Sequence, residues 1–222
     1  MRLALFDLDG TLLPGDSDHA FGEFLVREGW ADGAEFARRN DGFYVDYQAG
    51  RLDIADYIDF ITAPWRGRPH EETEAASRRF IADIIRPMVR PAAVALLQRH
   101  REAGDRLVIV TATNDFVTRP IADLFDVPDL IATDLARDAL GRATGAIRGV
   151  PSYREGKVTR VRQWLSAEGR ALEDFERTVF YSDSTNDLPL LECVSHPVAT
   201  NPNPALERLA HERGWPVLKL FE

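Results

Sequence analysis

The sequence predicts an α/β fold: a doubly wound, mainly parallel sheet carrying an all-helical insertion after its first strand. Three observations predict it. Short apolar runs recur along the chain and each stops abruptly in polar or turn residues, as strands buried on both faces do. Stretches with helical spacing separate these runs, the alternation that builds parallel sheets. One segment, residues 16–86, breaks the alternation and shows helical spacing only.

The elements follow in order. Leu3-Ala4-Leu5-Phe6 reads as the first strand, ending in Asp7-Leu8-Asp9-Gly10-Thr11. In the insertion, Phe21, Phe24 and Leu25 share one helical face, as do Ile54, Tyr57, Ile58 and Ile61, and Phe80, Ile81, Ile84 and Ile85. Residues 64–69 (PWRGRP) read as a solvated loop between two of these helices. Pro91 suits a first helical turn and Gly104 a stop. Arg106–Val110 is the second buried run, ending at Thr111; Pro120 then predicts a kink or a late start in the helix that follows. Gly141, Gly145 and Gly149 suggest a turn-rich hairpin, and Val158, Val161, Trp164 and Leu165 follow helical spacing. Thr178–Tyr181 is a third strand ending at Ser182-Asp183, with 196–199 and 216–220 as weaker ones. Asn203-Pro204 reads as a helix start and Gly214 as its end. The division expected is a core of residues 1–15 and 87–222 and a helical domain of residues 16–86.

Composition excludes several classes. The 222 residues are 45% hydrophobic and 28% charged, enough to bury a core and unlike collagenous or low-complexity chains. One cysteine, Cys193, cannot form an internal disulfide, so a reducing, cytoplasmic setting is expected. Cys193 itself is expected to be a buried helical residue. No apolar run reaches the roughly 18 residues a membrane span needs, and the N-terminal run meets carboxylates too soon for a secretory signal. A net charge of −9 argues against a nucleic-acid partner but leaves an anionic small molecule open, because a bound cation sets the field in a cleft. Either a monomer or a homodimer is compatible.

Chemistry is expected where strands end, because open parallel sheets form their sites at the carboxyl edge. Asp7, Thr111 and Asp183 each follow an apolar run, so the fold brings them together. Asp7 and Asp9 point to the same side of an extended chain. Such a like-charged pair calls for a cation or a shared proton, and both suit a nucleophile at Asp7 and a proton donor at Asp9. Gly10 permits the tight exit from the strand, and Thr11 is expected to orient Asp9. Taken alone, Asp-x-Asp-Gly is also a hairpin turn. Thr111 offers a hydroxyl, and amide N–H groups beyond it can hold an oxyanion, though Thr111, Thr113 or Asn114 equally suits a helix cap. Lys157 can neutralise a phosphoryl group and a carboxylate cluster, although most lysines are solvated. Asp183 is placed to ligate a hard cation, with Asp187 beside or behind it.

In this order the pieces DLDGT (7–11), VTAT (110–113), Gly156-Lys157 and DSTND (183–187) resemble the haloacid dehalogenase superfamily of phosphohydrolases, over the whole chain. The resemblance implies a Rossmann-like core and a cap of the C1 type, as in the subgroup that includes phosphoserine phosphatase. It implies that Asp7 attacks phosphorus to give an aspartyl-phosphate, and that Asp9 protonates the leaving alcohol and then activates water. It further implies Mg²⁺ held by Asp7, the main-chain carbonyl of Asp9 and Asp183, with Asp187 behind it. Phosphoryl oxygens would fall to Thr111, Ala112 and Lys157. A phosphoryl transferase is the alternative within the superfamily, and a phospho-acceptor or binding-only domain is a more distant one. The substrate expected is a small phosphorylated metabolite.

This chain departs from the phosphoserine phosphatase pattern. Asp16 stands near the position of a cap Glu, residues 56–61 (DYIDFI) lack the cap Arg, and Thr111-Ala112-Thr113 replaces a serine and two glycines. Residues 119–125 and 195–216 resemble a bacterial branch of general hydrolases, some similar to histidinol-phosphate phosphatases. Histidinol phosphate and phosphoserine are therefore the candidate substrates. Asp16, Asp18 and Glu23 are candidate partners of a substrate amine. The five histidines show no zinc spacing, and His19 is expected on an exposed helix face.

Overall fold

The computed structural model describes residues 1–221. Its centre is β1 (Arg2–Phe6), flanked in an all-parallel six-stranded sheet of order β3-β2-β1-β6-β7-β8. The other strands are β2 (Arg106–Asn114), β3 (Asp129–Thr133), β6 (Arg177–Ser182), β7 (His196–Thr200) and β8 (Val217–Leu218). Leu5 pairs with Val108 on one side and Phe180 on the other. Alternate side chains enter opposite layers: Ala4, Phe6, Ile109 and Val179 join one apolar cluster, while Leu3, Leu5, Val108 and Phe180 join the other. Burial on both faces is why β1 reads as an unbroken apolar run.

Helical structure fills the stretch between β1 and β2: α1 (Ser17–Arg27), α2 (Gly33–Gln48), α3 (Ile54–Thr62), α4 (His70–Phe80), a π-helical turn (Ile81–Ile85), α5 (Arg86–Met88) and α6 (Pro91–Glu102). Asp16 and Asp53 cap α1 and α3 with their carboxylates. The remaining helices are α7 (Asp115–Leu124), α8 (Glu155–Ser166), α9 (Leu188–Leu191) and α10 (Pro204–Arg213), and an antiparallel ribbon of β4 (Leu135–Arg137) and β5 (Ala143–Ile147) forms the glycine-rich hairpin. Asn203 caps α10 through the amides of Ala205 and Leu206, and Gly214 ends it at φ 67°.

Several expectations change. β2 runs four residues past Val110, with its register against β3 shifting between Val110 and Asn114, so α7 starts late at Asp115 and accommodates Pro120 internally. β3 had no clear sequence signal, and β8 is only two residues long. Trp65 is 5% exposed because Phe116 stacks on it at 4.3 Å and its Nε1 donates to the Ile61 carbonyl; it is no solvated loop residue. Cys193 lies just past α9 in a turn and is only partly buried, since the helix ends at Leu191. Among the described residues, no helix is long and apolar enough to cross a membrane.

Candidate active site

The carboxyl ends of β2, β1 and β6 are neighbours, which sets Thr111, Asp7 and Asp183 side by side. The Asp7 amide donates to the Tyr181 carbonyl at 2.9 Å, extending the β1–β6 ladder by one residue and fixing where the carboxylate emerges. Lys157, 1% exposed, donates to Asp7 Oδ1 at 2.8 Å and to Asp187 Oδ2 at 2.7 Å. Ser182 Oγ supports the same Asp187 oxygen at 2.8 Å. Lys157 reaches this point because Gly156, lacking a side chain, lets the first turn of α8 press against the Pro151 carbonyl; a Cβ there would overlap it. Burial works to lower the Lys157 pKa, but Asp187 and Asp7 outweigh it and hold the ammonium charged.

Asp7 Oδ2 is buried and makes no hydrogen bond to the protein. Burial pushes the Asp7 carboxyl up to about 7 against the pull of Lys157, and raises Asp183 as well, reinforced there by Asp7 and Asp187. Gly10, at φ +72°, occupies a conformation other residues enter at a cost, and a Cβ on it would strike the Asp183 carboxylate. The glycine thus makes room for Asp183 beside the Asp7–Asp9 turn. Thr11 Oγ1 donates to Asp183 Oδ1 at 3.4 Å, and so supports the third strand end where Asp9 had been expected to be its partner.

Asp9 is oriented by two other groups. The Ser17 amide donates to its Oδ1 at 2.7 Å and Thr113 Oγ1 to its Oδ2 at 2.9 Å. Burial, then the nearby charge of Asp16, raises its pKa to about 7 against these bonds, a value suited to giving and taking a proton near neutrality. Thr111 is buried, its hydroxyl accepting from the Thr113 amide at 3.2 Å, while Ala112 accepts from Thr133 through its carbonyl.

The residues present suit a hard divalent cation. Among the described residues no three His, Cys, Asp or Glu side chains gather as a metal cluster, and the Asp9 carboxylate is taken by Ser17 and Thr113. Two carboxylates remain, Asp7 with its unpartnered oxygen and Asp183, together with main-chain oxygen at the turn. All are hard oxygen donors, the kind a hard divalent cation takes, and Asp7 Oδ2 has no partner in the protein. Asp187 is engaged by Lys157 and stands behind this set.

A cavity of about 40 Å³ extends from Asp9 and Thr111–Thr113 toward the helices, with Asp16, Asp18, His19 and Asn40 in its walls. His19 therefore faces the cleft, held by Asp41 at 2.8 Å. Asp18 accepts from Asn114 Nδ2 at 3.1 Å and from the Tyr57 hydroxyl, and burial holds its carboxyl well above the ordinary range. Glu23 is exposed on α1 and does not join the group. Sequence reasoning missed Thr113 as the partner of Asp9, Tyr57 and Asn114 at Asp18, and Asn40 in the cavity wall. Only Asn114 and Thr113 carried a signal, as polar residues at a strand end.

Comparison with known proteins identifies the family. Residues 4–192 match the model of the haloacid dehalogenase-like hydrolases. The chain belongs to that family and is a hydrolase of it. It is 46% identical to a histidinol-phosphatase of Neisseria meningitidis, over 98% of either chain. A crystal structure of a protein of unknown function from Bordetella pertussis superposes with a TM-score of 0.93 at 50% identity, covering 99% of both chains. A substrate-bound phosphoserine phosphatase shares the fold, with a TM-score of 0.68 at 18% identity over 97% of this chain and 91% of its own.

Proposed function

We propose that this chain is a Mg²⁺-dependent phosphatase that hydrolyses a small phosphate monoester, foremost histidinol phosphate, through a phosphoryl group carried on Asp7. The observation that carries this reading is the Asp7 carboxylate, clamped by Lys157 through one oxygen and unpartnered at the other, one residue removed from an acid poised near neutrality. The similarity to the Neisseria enzyme supports histidinol phosphate as substrate. Residues 16–86 act in this reading as the cap over a core of 1–15 and 87–222, in the cytoplasm.

Asp7 attacks phosphorus as the ester P–O bond breaks, and Asp9 gives its proton to the departing alkoxide. Asp9, now a carboxylate, takes a proton from the water that attacks phosphorus. The acyl-phosphate bond breaks, releasing inorganic phosphate and restoring Asp7. Lys157 keeps Asp7 ionised and offsets phosphoryl charge, while the Thr111 hydroxyl and the amide of Ala112 hold phosphoryl oxygens. Asp7, Asp183 and the main-chain carbonyl of Asp9 would hold Mg²⁺, which would supply charge neutralisation at the phosphoryl oxygens. Asp9 can activate water at this step, and for that reason hydrolysis is read ahead of phosphoryl transfer to a second alcohol.

Ligand sites for small molecules span about 300–1,000 Å³; a cleft of about 500 Å³ opens at Asp9, Gly10 and Asp183 and gives the phosphoryl group access, while the cavity of about 40 Å³ beyond Thr111–Thr113 gains room for the alcohol portion as the helices move. Two hydrogen bonds tie the end of α2 to the core, Asn186 Nδ2 to the Tyr47 carbonyl at 3.0 Å and Arg154 Nη1 to the Gly50 carbonyl at 3.2 Å, few enough to break on opening. Phosphate release from an aryl phosphate, with Mg²⁺ and with chelator, tests the reaction. A metabolite panel including histidinol phosphate and phosphoserine tests the substrate. Metal-independent release, or none, overturns the proposal.

A further inference from the structure

We propose that Asn40 reads an N–H group on the alcohol portion of the substrate, so that the substrate class is amine-bearing phosphate monoesters without a carboxylate. The inference rests on the phosphatase reading above and adds a specificity residue to it. Asn40 lies on α2, is 1% exposed and lines the cavity. Its Nδ2 donates to the His19 carbonyl at 2.9 Å, which fixes the amide orientation and leaves Oδ1 as the other end. That Oδ1 is buried and accepts no hydrogen bond from the protein. Buried acceptors of this kind are rarely left unmatched, because desolvation then goes uncompensated.

The amide is seated deliberately. It lies over Gly22 of α1, where a Cβ would collide with it, so the two helices approach only because position 22 has no side chain. Around it the cavity offers the carboxyls of Asp16 and Asp18 and the apolar walls of Phe43, Leu52 and Ile54; no Lys or Arg is among its lining residues. An ammonium or ring N–H on an apolar stem meets acceptors there, whereas a substrate carboxylate meets acids and no Lys or Arg, the one imidazole, His19, being engaged by Asp41. Histidinol phosphate fits this pattern and phosphoserine does not.

The test compares kcat/KM for histidinol phosphate, for the same ester without its amino group and for phosphoserine, with an aryl phosphate as the measure of intrinsic reactivity. The wild-type protein is expected to favour the amine over its deaminated analogue by about tenfold or more, and to handle phosphoserine worst. Asn40→Ala is expected to bring the amine preference to within about threefold, through KM rather than kcat. Where melting shows that Asn40→Ala does not fold, the uncharged and similarly sized Asn40→Leu, which also removes the acceptor, is expected to lose the preference in the same way. An undiminished preference in whichever of Asn40→Ala and Asn40→Leu folds, or a wild type without preference, overturns the inference while aryl phosphate turnover leaves the phosphatase reading standing. Absence of all turnover overturns both.

Discussion

Lys157→Met probes how the strand ends are held together. Methionine keeps most of the stem volume and removes the charge. The ammonium is 1% exposed and bonded at 2.8 Å and 2.7 Å to two carboxylates whose side chains are 3% and 2% exposed. Deleting one partner of a buried ionic set costs about 3–5 kcal/mol, because the remaining charges stay buried without compensation. For a chain of this size each kcal/mol moves Tm by about 2–4 °C, so the loss at pH 8 in chelator is roughly 6–20 °C. The wild-type lysine, its pKa raised, stays charged at both pH 5 and pH 8, whereas Asp7, pushed up to about 7, is ionised at pH 8 and takes a proton by pH 5, so this pair contributes most at pH 8. In the variant, Asp7 loses the charge that opposes its protonation, and taking up a proton relieves it as pH falls. The Tm deficit should therefore shrink toward pH 5, and adding Asp187→Asn should recover part of it at pH 8. Thermal melts across pH check this. A deficit below about 2 °C at pH 8, or one independent of pH, would refute the buried ionic set.

Asp7→Asn should reduce phosphate release to the uncatalysed background while circular dichroism stays native. Asp9→Asn should slow turnover by about 10²–10⁴, the usual contribution of a general acid–base group, measured as steady-state kcat. Gly10→Ala should weaken Mg²⁺ binding in calorimetry, because the methyl group displaces Asp183 and φ +72° disfavours a side chain. For Asp18, burial followed by Asp16 and Asp9 raises the folded pKa, so its stabilising contribution is full below the ordinary carboxylate range and is lost as pH rises through the folded value. Asp18→Asn, neutral throughout, should gain Tm relative to wild type between pH 5 and pH 9; a constant difference contradicts the assignment.

Much of the site was legible because parallel-sheet geometry turns a strand ending into a place. Asp7 and Asp183 needed only the apolar runs before them to be put together. Lys157 was different: a lone lysine is normally solvated, and only its motif distinguished it from the surface, while its burial between two carboxylates follows from Gly156 and Pro151 packing. Short elements were poorly legible. β3 begins Asp-Leu after Pro128 and β8 has two residues, too little for periodicity. The helical insertion was readable as helices but not in its contacts. Trp65 is buried by Phe116, a residue beyond β2, and Asn40 is enclosed by Gly22 of another helix; no local pattern encodes either pairing. Thr113, read only as a possible helix cap, meets Asp9 because β2 continues past Val110, and Thr11, read as the partner of Asp9, turns to Asp183.

Acid-quenched turnover of Asp9→Asn with Mg²⁺ and a phosphate monoester, followed by peptide mapping, tests the central claim most directly. The account predicts one phosphoryl group on the peptide containing Asp7, formed faster than it is lost. Phosphate released with no modified peptide, or a phosphoryl group found on any other residue, would contradict it.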